Sequence, residues 1–146
     1  MHNIVSLTTR RSLKIWGRIR VSRVVVLVDC GVTHSFISKE LVEKMGPLAK
    51  DTSPYVVEVG DGHKIKSNGV CEGIKLEVQD FTIIRDFFLF GLGEVDVVLG
   101  LEWLVGLGDF TANFDKLTFT IKVGEKKQTL KGEPELTKSI TLMKII

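Results

Sequence analysis

Val26-Leu27-Val28-Asp29-Cys30-Gly31-Val32-Thr33-His34-Ser35-Phe36-Ile37-Ser38 is the stretch on which the fold turns. It opens inside Val24–Val28, an unbroken aliphatic run with four valines, which reads as a strand buried on both faces. That strand runs straight into Asp29. A lone carboxylate taken out of water is costly unless it is paired or protonated. An acid at the end of a buried strand therefore points to a cleft where the carboxylate has work to do. Gly31 lets the backbone turn tightly there. Beyond the turn, Phe36, Ile37, Leu41, Val42 and Met45 recur at helical spacing. The spacing predicts a short helix capped at Ser35 or just before it and stopped by Gly46-Pro47.

About seventy positions later comes Asp96-Val97-Val98-Leu99-Gly100-Leu101-Glu102-Trp103-Leu104. Val95–Leu99 reads as a short apolar strand. Val98, Leu99 and Gly100 are expected to pack beside the Asp29 turn, and Leu101–Leu107 to form a second helix anchored by Trp103. Between the two motifs, Tyr55–Val59 alternates, Asp61-Gly62 gives a hairpin signal and Lys64–Lys66 returns. Val70–Val78 alternates around a break at Gly73, with Ile74, Leu76 and Val78 on one face. Phe81–Phe90 is a further strand, followed by a turn at Gly91, Gly93 and Glu94. Phe110–Phe114, Leu117–Val123 and Glu125–Leu130 complete the set, and Ile15–Arg20 begins it. Many short strands with two short helices argue an all-β, closed or nearly closed barrel.

The two motifs, in this order and spacing, resemble the retropepsin-like aspartic proteases of gypsy-class retrotransposons, particularly those of plants. That family has an apolar strand, Asp-Ser/Thr-Gly-Ala and a short helix, then an apolar pair, Leu-Gly and Trp-Leu. Here these are Asp29-Cys30-Gly31-Val32 and Val98-Leu99-Gly100 with Trp103-Leu104. The resemblance extends to Asn3–Leu7 and Leu130–Leu136. It implies an acid-protease-like barrel that works as a homodimer, with Asp29 of each copy as the catalytic pair and Cys30, Gly31 and Val32 shaping the turn. Asp61-Gly62 sits at a hairpin tip, so one chain offers one credible site and two copies are required. Two carboxylates at one site share a proton: one activates a water, the other donates to the scissile carbonyl. No metal and no cofactor enter. The resemblance also makes Val59, Gly60, Asp61, Gly62 and His63 a flap that closes on an extended peptide by strand pairing. It divides the chain into a basic arm at 1–14, the protease domain at 15–131, and a linker toward a reverse transcriptase at 132–146. The implied substrate is the element's own Gag-Pol polyprotein. Cys30 and Val32 depart from the pattern. A thiol is a weak donor and acceptor, so an impaired or domesticated module that dimerises or binds peptide is the alternative reading.

Composition is consistent with one soluble domain: 146 residues, 44% hydrophobic, 26% charged, net charge +2. The charge is uneven, because residues 1–23 hold Arg10, Arg11, Lys14, Arg18, Arg20 and Arg23 and no acid. Such an arm can touch RNA, but a solvated lead-in is the simpler reading and a nucleic-acid partner is not expected. Cys30 and Cys71 form no disulfide framework. No apolar run spans a membrane and no signal-peptide core is present, so the expected setting is cytoplasmic, including virus-like particles. A Cys30–His34 nucleophile lacks a third orienting group. A metal site from Cys30, His34, His63 and Cys71 lacks any zinc-like spacing. Cys71 reads as a small buried strand residue, Phe87, Phe88 and Phe90 as wall and dimer-facing residues, and Asp86, Asp96 and Asp109 as turn or loop acids.

Overall fold

A computed structural model describes residues 12–29, 32–46, 49–59, 62–100, 110–113, 115–123, 125–133, 136 and 143–145. The expected second helix, Trp103, Asp109 and residues 1–11 of the basic arm lie outside these.

The strands are β1 (Ser12–Ile19), β2 (Ser22–Asp29), β3 (Phe36–Ser38), β4 (Ala49–Lys50), β5 (Tyr55–Val59), β6 (Lys64–Ser67), β7 (Val70–Val78), β8 (Phe81–Phe90) and β9 (Val97–Leu99). After them come β10 (Phe110–Asn113), β11 (Thr118–Val123), β12 (Lys126–Lys131) and β13 (Met143–Ile145). One helix, α1 (Lys39–Met45), is present among the described residues. The main sheet runs β1-β2-β9-β3-β8-β7-β4, and β1 meets β7 again at Arg18↔Glu77. That contact closes a six-stranded barrel, as the sequence predicts. Gly17 sits at the seam: a Cβ there would lie 2.9 Å from Val26 and 3.1 Å from the Glu77 carbonyl. β10-β11-β12 form a separate three-stranded sheet, and β13-β5-β6 another.

The period-two alternation of strands explains the core. Val24, Val26 and Val28 of β2 face one buried cluster with Ile37, Phe87, Leu89, Val97 and Leu99. Leu27 faces a second cluster with Phe36, Phe90 and Val98, against which Val25 and Phe88 also pack. β2, β9, β3 and β8 are thus covered on both sides, the condition expected of Val24–Val28. Burying each such side chain stabilises the fold by about 1.5–3 kcal/mol. Phe87 belongs to the barrel interior, while Phe88 and Phe90 belong to the second face.

Three local expectations are corrected. Phe36 and Ile37 lie in β3, not in the helix, because β3 is wedged between β8 and β9. The helix is capped by Ser38, whose hydroxyl accepts from the Leu41 amide at 3.4 Å. The same hydroxyl donates to Glu40 at 2.6 Å and holds that carboxyl below its usual range. Asp86 is a β8 residue rather than a loop acid, and its carboxylate accepts from the Gly73 amide at 2.9 Å. That amide belongs to a bulge between Cys71 and Ile74, where Gly73 takes φ +63°.

Within the basic N-terminal stretch, two side chains are not merely solvated. Lys14 is buried, with its ammonium 3.9 Å from Glu94. Arg23 lies over the Trp16 ring at 3.7 Å.

Candidate active site

Asp29 is the last residue of β2 and is completely buried. Pleating puts its side chain on the face of Leu27 and Val25, two residues and four residues back. That face is covered by β5: Val57 is in the second cluster together with Val32, and Tyr55 and Val59 pack against it. The carboxylate and the hairpin strand therefore belong to the same side of the barrel wall. Cys30, Gly31, Gly60 and Asp61 lie outside the described residues.

The turn after Asp29 is braced from within the chain. The Val32 amide reaches back to the Asp29 carbonyl at 3.3 Å. β9 lies parallel to β2, with Val26↔Val97, Leu27↔Val98 and Val28↔Leu99 in register. Gly100 follows directly and packs on the returning loop. A Cβ there would strike the His34 carbonyl and come within 2.7 Å of the Val32 carbonyl. Only hydrogen fits, which is why the apolar pair must be followed by glycine. Ser35, also fully buried, accepts from the Gly100 amide at 3.2 Å, while its own carbonyl accepts from Phe88 at 3.0 Å. His34 is oriented by Thr33 at 2.8 Å and by an edge contact with Phe88 at 5.7 Å.

Asp96 is a clamp rather than a solvated turn acid. Its Oδ2 accepts from the Val25 amide at 2.8 Å, and its own amide donates to the Val25 carbonyl at 2.9 Å. Its carbonyl accepts from Ser38 at 2.8 Å. One residue thus ties the base of the Asp29 strand, the entry of β9 and the start of α1.

The hairpin β5–β6 turns where Asp61-Gly62 predicts. Val59 donates to the His63 carbonyl at 2.9 Å and Gly62 to the Val59 carbonyl at 2.9 Å. Gly62 has φ +91°, the left-handed residue that closes a three-residue hairpin loop. At the other end, the Tyr55 hydroxyl lies 2.8 Å from the Gly69 carbonyl and 2.7 Å from that of Leu89. Ser67 also donates to Leu89, at 2.9 Å. Burial, opposed by hydrogen bonding with Ser67 and with the Leu89 carbonyl, pushes the Tyr55 phenol up. Tyr55, Ser35 and Asp96 were not singled out as site residues by the sequence. A tyrosine opening an alternating strand, a serine after a histidine and an acid before an apolar run carry no local sign of such contacts.

A barrel in which an acid ends an inner strand, a parallel strand and glycine pack on the following turn, and a hairpin covers the same face defines the retropepsin class of aspartic-protease folds. Residues 15–129 match the model of the retroviral aspartyl protease family, and the chain belongs to that family. A search of the curated proteins returns no match. Among solved structures, the fold is similar to the retroviral protease-like domain of Ddi1 from Leishmania major, with a TM-score of 0.61 and 17% identity. That alignment covers 86% of this chain and 96% of the other. Among the described residues no helix is long and apolar enough to cross a membrane.

Proposed function

We propose that the chain is an aspartic endopeptidase that assembles from two copies, and that it processes the Gag-Pol polyprotein of a gypsy-class retrotransposon. The observation that carries this reading is the buried Asp29 at the end of β2, on the face that the β5–β6 hairpin covers. Among the described residues the chain supplies one such carboxylate, and a water-activating dyad needs two. With Asp29 of each copy at the shared site, the pair holds one proton and titrates as a unit. The ionised member takes a proton from a bound water. The protonated member donates to the carbonyl of the scissile bond, and the proton count balances without a covalent intermediate. Val59, Gly60, Asp61, Gly62 and His63 close over the peptide, exclude water and strengthen the electrostatics inside. Val98, Leu99 and Gly100 hold the turn formed by Cys30, Gly31 and Val32.

The test is cleavage of the precursor region, or of an unfolded protein, near pH 5, with and without pepstatin. Wild type is expected to cut, and Asp29→Ala and pepstatin are each expected to abolish cutting. No cleavage by a wild-type sample that sediments as a dimer would sink the proteolytic reading.

Cys30 favours one second reading, a dimerising or peptide-binding module with impaired chemistry. Its thiol stands where the family has a hydroxyl, and a thiol bonds weakly across an interface. A large gain of peptidase activity in Cys30→Ser identifies an impaired enzyme. An inert Cys30→Ser that still binds peptide identifies the module.

A further inference from the structure

β5 is hydrogen-bonded along both edges, and the two neighbours differ in kind. β6 is its hairpin partner. β13 comes from the far end of the sequence and pairs antiparallel, with Met143↔Val59, Lys144↔Glu58 and Ile145↔Val57 in register. The Val59 amide points to β6, since it donates to His63. Alternation along an antiparallel strand then turns the Glu58 amide and carbonyl toward β13, opposite Lys144. A bare strand edge is a template for any extended peptide. This edge ends at the hairpin tip, and Tyr55, Val57 and Val59 of its strand pack on the Asp29 face.

We propose that the segment Met143–Ile145 is a built-in occupant of the peptide-binding edge of the hairpin, and that it competes there with extended peptides carrying a cation opposite Glu58. The inference rests on the peptide-binding reading of the hairpin. Three paired residues make a short strand, which a longer peptide can displace. Tethering keeps the local concentration of the segment high, so a peptide in trans meets a raised apparent dissociation constant. The edge is self-covered when no substrate is present, and the register makes Glu58 a specificity-determining position.

The experiment uses the full chain and Lys144→Pro, which removes the amide facing Glu58. A fluorescent peptide of the sequence Ser139–Ile146 is titrated into each, and amide exchange is followed at Glu58 and Val57. The labelled peptide should bind Lys144→Pro about tenfold more tightly, or better, than it binds wild type. Exchange at Glu58 should accelerate while Val57, which faces β6, stays unchanged. Lys144→Glu avoids proline and should also loosen Glu58 by setting like charges opposite each other. Equal peptide affinity in wild type and Lys144→Pro, or a Glu58 amide that already exchanges freely in wild type, would overturn the proposal. Cleavage assays separate the two readings. If no form cuts, the proteolytic reading fails, while binding and exchange still decide the role of the tail.

Discussion

Gly100 and Ser35 are joined across 65 positions of sequence by a 3.2 Å hydrogen bond from the Gly100 amide to the buried Ser35 hydroxyl. The contact locks the end of the β9 segment onto the loop that leaves Asp29. It makes Gly100 the tightest glycine of the site, because backbone carbonyls rather than side-chain ends occupy the space a Cβ would need.

Gly100→Ala is expected to destabilise the fold by about 3 kcal/mol, the upper end of ordinary overpacking, since carbonyls cannot rotate away. Urea unfolding followed by circular dichroism measures it. A loss under about 0.5 kcal/mol would show that the loop relaxes freely and that the glycine is not required.

Asp96→Ala leaves the Val25 amide, at the base of the Asp29 strand, without its side-chain acceptor. The expected cost is about 2 kcal/mol, the range for a hydrogen bond to a charged group. Asp96→Asn keeps an acceptor oxygen and should recover most of that stability. Equal midpoints for the Ala and Asn variants would mean that the carboxylate contributes nothing through this bond.

Tyr55→Phe removes the hydroxyl at the base of the hairpin. The two carbonyls keep other donors, Leu89 N for Gly69 and Ser67 Oγ for Leu89. The loss should therefore be small, about 1 kcal/mol. Amide exchange in β5 and β6 should quicken relative to the barrel. Uniform exchange across both regions would show that the hydroxyl does not pin the hairpin.

Burial pushes the Cys71 thiol up from its ordinary 9.0. The unfolded chain then ionises first as pH rises. Stability contributed by the neutral thiol is complete below that ordinary value and falls as pH climbs through the higher folded value. Cys71→Ala should unfold more readily at pH 7, by on the order of 1 kcal/mol, yet show a flatter decline above pH 9. Parallel pH–stability curves for the two proteins would refute the assignment.

The sequence made the barrel legible wherever one physical signal dominated. Val24–Val28 announced a doubly buried strand. The alternation of Ile74, Leu76 and Val78 survived the glycine bulge, and Asp61-Gly62 placed the hairpin turn. The sequence was mute where two signals coincide or where the cause is distant. Phe36, Ile37, Leu41 and Val42 fit a helix and a strand-then-helix equally well, and only β8 and β9 on either side decide. Asp96 looks like any polar turn residue until Val25 is brought beside it. The pairing of Lys144 with Glu58 joins segments that nothing local relates. The position of Asp29 could be read directly, but its sharing a face with β5 emerged only from the division of the core into two clusters.

The parallel pairing of β2 with β9 also sets a timetable. Val25 and Asp96 are 71 positions apart, and chains are made from the N-terminus at about 5–20 residues per second. For the several seconds that separate their synthesis, the Asp29 strand has no parallel neighbour and no glycine against its turn. A nascent chain stalled before Val97 can form the β1–β2 ribbon but lacks the wall that frames the carboxylate. Maturation of the site is thus postponed until most of the domain has left the ribosome.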